Sequence, residues 1–545
     1  MRLRRLSSVP ALPVRSLKPA LIAGGMLALV AGWSPAQAAP AIDDAGAKAL
    51  AASLKKDLPR WFPPPSEDGE GVGFEWQGEP TVKPAGDHYD VALPRLSAED
   101  AEGTLFDIGT VLLSVTPKDD GQYGVAITLP SSMKVQNLDE NDEYVDAAII
   151  SIGKQSLTSV WSGTLETLLA VDGAYNDITV SAADGKGKVS IASMTMVQEL
   201  KPEAGAGGAT LWSGPAAFAF GNLSVQDDKN KELVKIGSVT TEATYTRVDL
   251  TKVSALQKLS EQAAARGVPP TPAELLPKMQ GMFGGITGAM RMSNLSFVNP
   301  EDGTTVALGQ LAFRSGLTDL DQAMSTVSMG IEARDFVMTP SPAPVAFTPR
   351  AFEMKLSVAK LPNTALWKAF TELAKTAEAE EAPPKKGAKA KAAPPPPPSS
   401  EVVMQQAMAA MAEAGTELRI DALNLDTPAT AGTANGALKV ATQAAFGVTG
   451  GATVLLRGID AAVKAMQPAP GAKPDKETQD LLGGLAMIQA LGQAGKDESG
   501  ADTRTYKIDV TEAGQLLLNG ADMTPLLAGG AEPAPAPAEP PKKKK

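Results

Sequence analysis

Residues 222–237 read NLSVQDDKNKELVKIG, and residues 294–309 read NLSFVNPEDGTTVALG. The two stretches begin 72 residues apart and share an Asn-Leu-Ser start, a polar middle, and an aliphatic residue followed by glycine. Looser copies of the pattern end at Ile108-Gly109 and Ile152-Gly153. Repetition of one pattern indicates that a single supersecondary unit is used several times along the chain.

Alternation around the four glycines indicates β-strands. A period of two places the residues three positions and one position before each glycine on one face of a strand. These apolar pairs are Phe106 and Ile108, Ile150 and Ile152, Val234 and Ile236, and Val306 and Leu308. After each glycine the apolar set shifts by one position. We therefore expect a bulge or bend at each glycine, which would tolerate the left-handed backbone that a bulge often needs.

Polar turns separate the strands of each unit, at 226–232 in one copy and at 299–305 in the other. The second turn contains Pro300-Glu301-Asp302-Gly303, which are residues typical of turns. The sequence therefore predicts a mainly β fold with helical insertions (α+β). In this fold, repeated bulged hairpins build an elongated, curved antiparallel sheet.

The first 38 residues predict a secretory signal peptide. A basic leader precedes the short apolar stretch 20–32, and Ala36-Gln37-Ala38 matches a cleavage site of the Ala-x-Ala type. The apolar stretch is shorter than a transmembrane helix needs. We expect export to a bacterial periplasm with cleavage of the signal, and retention of the segment as an N-terminal anchor is the alternative.

Charge and cysteine content exclude several functional classes. Removal of residues 1–38 takes the net charge from −12 to −17. Such an acidic surface repels DNA and anionic head groups, so no nucleic-acid partner is expected. The chain has no cysteine, which excludes disulfides, a thiol nucleophile and lipoprotein acylation.

Composition and periodicity divide the chain into eight segments. The predicted segments are a signal peptide (1–38), an N-terminal helix and linker (39–71), a β-rich repeat region (72–250), a helical insertion (251–292), a second β-rich repeat region (293–360), a helical segment (361–416) with a disordered Pro/Lys linker at 378–400, a C-terminal α+β region (417–527), and a disordered Ala/Pro/Lys tail (528–545).

Helices are expected wherever apolar residues recur at three- and four-residue spacing. The expected helices are 43–62, 251–266, 272–290, 361–376, 402–414, 458–466 and 475–491. The third of these holds four glycines and a group of methionines. We interpret that composition as close packing of a helix in the core, in preference to a ligand site.

Candidate chemical groups are few. His88 is the single histidine, which argues against a histidine general base or a multi-histidine metal site, and its place beside a turn predicts a surface position. The acidic run 139–143 resembles the start of a calcium loop but lacks the loop's glycine and final glutamate. Ser131 and Lys134 match Ser-x-x-Lys without its partner motifs. The basic tail 542–545 is interpreted as solvated, with contact to an anionic surface as the alternative.

The C-terminal strands carry a resemblance to a known group. Residues 504–510 read RTYKIDV, and residues 514–520 read GQLLLNG. This ending, together with the hairpins that close on Ile/Leu-Gly, resembles the YdgA-like domains of bacterial envelope proteins, with a weaker likeness to AsmA-like proteins. The resemblance implies an envelope role such as lipid handling or outer-membrane upkeep, and it supplies no catalytic residues. The cleavable signal and the Pro/Lys linker depart from AsmA-like proteins.

The leading hypothesis is a non-enzymatic periplasmic envelope protein that binds a lipid or an acyl chain in an apolar groove on a concave sheet face. One alternative is a scaffold or assembly factor that binds another envelope protein through sheet edges. A second alternative is a carboxylate-based hydrolase. No catalytic, cofactor-binding or metal-binding residue is predicted, and peripheral association with the membrane is compatible with the leading hypothesis.

Overall fold

The computed structural model describes residues 41–64, 72–266, 268–341, 348–381, 399–466, 476–498 and 500–525. Within these residues the chain forms seven α-helices. They are α1 (Asp44–Trp61), α2 (Leu250–Ala265), α3 (Pro272–Met279), α4 (Asn363–Glu381), α5 (Ser400–Ala414), α6 (Ile459–Met466) and α7 (Lys476–Leu491).

Strands make up most of the described chain, and every pairing between them is antiparallel. The strands are β1 (Val72–Gln77), β2 (Thr81–Ala85), β3 (His88–Ala92), β4 (Arg95–Asp100), β5 (Leu105–Gly109), β6 (Leu112–Pro117), β7 (Gln122–Thr128), β8 (Ser132–Leu138), β9 (Tyr144–Ser151), β10 (Lys154–Ser162), β11 (Thr167–Ala182), β12 (Lys188–Glu199), β13 (Lys201–Ala204), β14 (Thr210–Gln226), β15 (Glu232–Val248), β16 (Gly285–Val298), β17 (Thr305–Thr318), β18 (Met324–Thr339), β19 (Ala351–Pro362), β20 (Glu417–Asp426), β21 (Ala431–Val440), β22 (Val448–Arg457), β23 (Gln493–Lys496), β24 (Asp502–Val510), β25 (Leu516–Leu518) and β26 (Ala521–Asp522).

The sheet forks at β11. The first part of β11 pairs with β10, and its last part pairs with β9. One arm runs from β10 through β7, β6 and β3 to β2. The other arm runs from β9 through β8, β5 and β4 to β1. Side chains of both arms and of α1 share one hydrophobic core, and we call this closed unit the sandwich.

Local sequence explains how α1 closes the sandwich. The Asp43 side chain accepts a hydrogen bond from the backbone N–H of Gly46 at 2.7 Å, which caps the start of the helix. Leu50, Leu54 and Leu58 recur every four residues, so they lie on one helix face. All three are buried in the sandwich core, which confirms the helix expected over 43–62.

Beyond β11 the chain forms one open sheet, which we define as strands β12–β26. Long strands pair in succession from β12 through β14 to β22 and then with β24, while β13 and β23 are short additions. Helices α2 and α3 leave the sheet between β15 and β16, α4 and α5 between β19 and β20, and α6 and α7 between β22 and β23. The predicted mainly β fold with helical insertions is confirmed.

A row of kinks crosses this sheet. Asp177, Asn222, Asn294 and Asp335 have φ angles of 56°, 52°, 53° and 57°, in the left-handed region. Pairing on either side of Asn294 places it opposite Gly237 of one neighbouring strand and Gly309 of the other. The same pairing places Asn222 opposite Gly237 and Asp335 opposite Gly309, so these positions form one row across the strands. The members of this kink row are Gly153, Asp177, Ala192, Asn222, Gly237, Asn294, Gly309 and Asp335.

The kink row corrects the role that the sequence assigned to three glycines. Gly153, Gly237 and Gly309 do not have positive φ, and the strands keep the same register on both sides of the row, so no extra residue is present. The left-handed residue stands opposite each glycine. A Cβ on Gly309 would lie 2.9 Å from the Asp335 Cβ, and one on Gly237 would lie 3.0 Å from the Asn294 Cβ. The glycine is present because the opposing side chain occupies its space.

Gly109 behaves as the sequence predicts. Its φ is 85°, and the register between β4 and β5 shifts by one residue beside it. It is therefore a bulge with a left-handed glycine. Of the four Ile/Leu-Gly sites, one is a glycine bulge and three belong to the kink row.

The predicted helical insertion at 251–292 is wrong at its C-terminal end. Helix α3 stops at Met279, and β16 begins at Gly285. The observed helix therefore covers less than half of the range 272–290 that was expected to be helical. Ile286, Gly288, Met290 and Met292 alternate with polar or small residues, and β16 pairs with β15 and β17 along its length. Of the glycines and methionines that were interpreted as helical packing, Gly285, Gly288, Met290 and Met292 lie in β16, Met279 ends α3, and Gly281, Met282 and Gly284 lie between the two elements.

The other helices lie close to their expected positions, and α4 continues to Glu381, so residues 378–381 of the linker expected at 378–400 are helical. The expected turns at 226–232 and 299–305 join β14 to β15 and β16 to β17. The signal peptide, most of the Pro/Lys linker and the basic tail lie outside the described residues.

Candidate functional site: an exposed apolar sheet face

One face of the open sheet is apolar across many strands. Antiparallel pairing sets residues of neighbouring strands side by side on the same face, and the apolar positions of each strand meet those of the next. We call this side the apolar face. Two of its rows are Tyr175, Met194, Phe220, Val239, Met292, Leu311, Ala333, Phe352 and Leu425, and Met196, Phe218, Thr241, Met290, Phe313, Ile331, Met354 and Leu423.

The apolar face continues the core of the sandwich. Val171 and Tyr175 of β11 are buried in that core, and Met194 and Met196 of β12 pack against it. Burial raises the pKa of the Tyr175 hydroxyl to about 12. Downstream, Phe218 of β14 is 38% exposed, although it occupies the same row as Met196. The enclosed core thus opens onto the surface at the third strand of this series.

Large apolar side chains stay exposed along the rest of this face. Met329 is 57% exposed, Leu425 is 43% exposed, and Leu423 and Phe313 are each 36% exposed. Exposed apolar patches of more than a few hundred Å² are uncommon on soluble proteins unless they bind something. This face is therefore the strongest candidate binding surface in the described part of the chain.

A hollow of about 270 Å³ lies on the apolar face where the sandwich gives way to the open sheet. Val171, Met196, Ala216, Phe218 and Tyr245 contribute to its walls. The hollow is mostly apolar, and its walls come from the four neighbouring strands β11, β12, β14 and β15.

The opposite face of the open sheet is polar and carries ion pairs between strands. The Glu332 carboxylate accepts hydrogen bonds from Arg334 Nε at 2.6 Å and from Arg314 Nη1 at 3.4 Å. Two further clusters are arranged in the same way. They join Glu353 to Lys355 and Asn424, and Glu417 to Lys360 and Arg419.

These ion pairs shift carboxyl pKa values downward. Hydrogen bonds from Lys360 and then from Arg419 lower the pKa of Glu417 to about 2. A hydrogen bond from Lys355 and then one from Asn424 lower the pKa of Glu353. Both groups therefore stay ionised at neutral pH.

A hollow of about 410 Å³ lies on the polar face of the open sheet, and a second of about 490 Å³ is lined by β6, β7, β10, β11 and β12, where the sandwich meets the open sheet. Arg314 and Lys355 line the first, together with small residues such as Gly316 and Gly330. Hollows thus occur on both faces of the open sheet, and the expected concave apolar groove stays a prediction. The exposed apolar rows distinguish the apolar face from the polar face.

The single histidine is the first residue of β3, directly after the turn that joins β2 to β3. His88 Nδ1 is 2.9 Å from Asp87 Oδ1, and Nε2 is 3.2 Å from Asp90 Oδ1. The hydrogen bond with Asp87 raises the pKa of His88. Its partners belong to the same hairpin, so the arrangement stabilises a turn.

The acidic run and the Ser-x-x-Lys match also have local structural roles. Asp139 Oδ1 accepts hydrogen bonds from the backbone N–H groups of Asn141 at 2.8 Å and Glu143 at 3.0 Å, which closes the turn between β8 and β9. Lys134 Nζ lies 2.7 Å from Asp146 Oδ2 on the neighbouring strand. The Lys134 ammonium is therefore engaged by a carboxylate and is not available to activate Ser131.

Acid–base and metal chemistry gain no support from the described residues. No group of three or more His, Asp or Glu side chains there could hold a metal ion. Each described carboxyl group with a shifted pKa has it lowered, whereas a general acid needs a raised pKa. Among the described helices, none combines the length and the apolar character needed to cross a bilayer.

The chain was compared with known protein families, proteins and structures. Scans against protein-family models, curated proteins and solved structures found no match to this chain. The resemblance of residues 504–520 to YdgA-like domains therefore stays a prediction.

Sequence reasoning predicted apolar alternation within single strands but missed the apolar rows between strands. The available signal was the phase flip at the kink row. If the flips of successive strands are aligned, Phe220, Val239, Met292 and Leu311 come into register without any structural information.

Proposed function

We propose that this protein is a non-enzymatic periplasmic envelope protein that holds the acyl chains of lipids against its apolar face. The observation that carries the proposal is the set of exposed apolar rows that continues from the sandwich core across the open sheet. An acyl chain has no hydrogen-bonding groups, so a surface with few polar side chains suits it better than it suits a peptide or a sugar.

The energetics favour an elongated apolar ligand. Burial of each methylene contributes about 0.8 kcal/mol, so contact over ten carbons contributes about 8 kcal/mol before the cost of immobilising the ligand. Rows such as Met196, Phe218, Met290 and Phe313 run across the strands. Neighbouring strands are about 4.8 Å apart, so a few strands already span the length of such a chain.

A matched pair of substitutions on β14 tests the proposal. Phe218 lies on the apolar face, and the adjacent Ala217 is exposed on the polar face. Phe218→Asp places a charge among the acyl-contacting residues, whereas Ala217→Asp places the same charge on the other side of the same strand. We expect Phe218→Asp to weaken binding of a fluorescent fatty acid about tenfold or more, because burial of an unpaired charge is costly, and Ala217→Asp to leave binding unchanged.

Native purification from membranes followed by mass spectrometry provides a second measurement, with co-purified lipid as the expected result. If the purified protein carries no lipid and the wild-type protein fails to bind the fatty acid, the proposal is wrong. Equal weakening by both substitutions would point to a general effect of charge and would also contradict it.

The scaffold alternative stays a prediction. It needs a free sheet edge for a partner strand, and two of the sheet edges are poorly suited to such pairing. Edge strand β2 has five residues and contains Pro84, which cannot donate to a ladder. At the far end of the open sheet, β24 is covered by β23 and β25, and the Asn519 N–H donates to the Lys507 carbonyl between them at 2.7 Å. Cross-linking that captures one dominant protein partner through β1 or β2 would favour the scaffold over the lipid-binding role.

A further inference from the structure

Methionine is concentrated on the apolar face. Met194, Met196, Met290 and Met292 belong to the two rows next to the kink row. Met354 joins the second of these rows, and Met329 lies on the same face one row further along its strand. We call these six residues the methionine set. Four strands, β12, β16, β18 and β19, therefore present thioethers to one surface.

The choice of methionine has two chemical consequences. A thioether side chain is flexible and polarisable, so it adapts to apolar ligands of different shapes. It is also open to oxidation by peroxides, and this chain contains no cysteine that could react first. Leucine or isoleucine at the same positions would give an apolar surface without that sensitivity.

Resting on the proposed function, we propose that the methionine set is a modification site, whose oxidation by a peroxide converts the apolar face into a polar surface and releases the acyl chain. Met329 is the most exposed of the six at 57%. Its neighbours on the face include Val327, which is 41% exposed. An oxidant approaching from solvent therefore reaches the Met329 sulfur without any opening of the sheet.

The reaction balances with one peroxide for each methionine. The sulfur lone pair attacks one peroxide oxygen, the oxygen–oxygen bond breaks, and a sulfur–oxygen bond forms. Sulfur is oxidised by two electrons, and the other peroxide oxygen leaves as hydroxide, which takes the proton from the sulfur-bound oxygen and becomes water. The sulfoxide accepts hydrogen bonds from water, so covering it with an acyl chain is unfavourable. Methionine sulfoxide reductases reverse the change.

Peroxide treatment of the full exported chain tests the inference. Peptide mass mapping follows the gain of one oxygen at each methionine, and a fluorescent fatty acid reports binding. We expect oxidation of Met329 to accompany a loss of affinity of about tenfold or more. Treatment with methionine sulfoxide reductase should restore binding.

Three variants provide controls. Met329→Gln introduces a polar side chain of similar length, and we expect it to weaken binding without any oxidant. A variant with all six residues of the methionine set changed to leucine should bind the fatty acid before and after peroxide. Met487 of α7 is 63% exposed and does not belong to the methionine set, so Met487→Leu should leave the peroxide response unchanged.

The outcomes separate the inference from the proposed function. If the untreated protein does not bind the fatty acid, the proposed function fails, and the inference falls with it. If the protein binds equally well before and after oxidation of Met329, the inference alone is wrong. Loss of binding by the six-leucine variant after peroxide would also overturn it, because the sensitive group would then lie elsewhere. Circular dichroism of each treated sample identifies a loss that is due to unfolding, and a binding loss seen only with unfolding counts against the inference.

Discussion

Strands of the sandwich and of the open sheet share the same alternation of apolar and polar residues, but only the sandwich covers its apolar side. In the sandwich, two arms and α1 cover the inward side chains, so Leu96 and Val115 are each 1% exposed. In the open sheet, apolar residues of similar size such as Leu423 and Met329 remain partly exposed on one face. Alternation alone therefore specifies which side of a strand is apolar, and the fork at β11 decides whether that side is covered.

The largest expected effect compares two leucines. Leu96→Ala should lower the free energy of unfolding by about 2–5 kcal/mol, because it opens a cavity in a closed core. Leu423→Ala should lower it by less than about 1 kcal/mol, because the side chain is already exposed to water. Urea unfolding followed by tryptophan fluorescence measures both, and Trp76 pairs with Leu96. Equal losses would mean that the apolar face is covered in solution.

A second, smaller effect compares two glycines of the open sheet. A Cβ on Gly309 would lie 2.8 Å from Asp335 Oδ2, so Gly309→Ala should cost about 1–3 kcal/mol of unfolding free energy. A Cβ on Gly330 would meet its nearest atom at 3.4 Å, which is ordinary contact. Gly330→Ala should therefore be neutral or stabilising by about 0.5–1 kcal/mol. Thermal melting of the two variants checks the order, and a loss at Gly330 as large as that at Gly309 would contradict the role assigned to the kink row.

The smallest effect concerns pH. The pKa of Glu417 is lowered to about 2, so its ion pairs stabilise the folded state fully above the unfolded pKa of about 4.3. That contribution is lost as the pH falls through 2. Acid titration of the Glu417 carboxyl by NMR should show the low midpoint, and Glu417→Gln should remove that titration and reduce the fall in stability between pH 4 and pH 2. A midpoint near 4.3 would show that the pairs with Lys360 and Arg419 do not form in solution.

Much of the fold follows from the sequence because strand alternation, turn residues and helix caps are local signals. The hairpin between β16 and β17 and the helix α1 are examples of predictable elements. The helix expected over 272–290 failed because Met290 and Met292 suit a helix and a strand equally, and only pairing with β15 and β17 decides between them. Tertiary contacts override weak local preferences of this kind.

The candidate site was predictable in kind but not in position. Sequence reasoning led to an apolar sheet surface, yet the face is defined by long-range register, which no local pattern contains. The left-handed residues were misassigned for the same reason. Asn294 and Gly309 are fifteen positions apart in sequence, and only their opposition across the hairpin shows which one needs the unusual backbone.

The kink row also constrains how such a protein can change its length over evolution. Left-handed Asn or Asp residues and glycines alternate from β14 to β18, so every kinked strand depends on a glycine strand beside it. Loss or gain of a single strand would place two bulky kinks, or two glycines, next to each other. Duplication or deletion of a glycine strand together with its kinked neighbour preserves the alternation, so the hairpin is the smallest unit by which this sheet grows or shrinks.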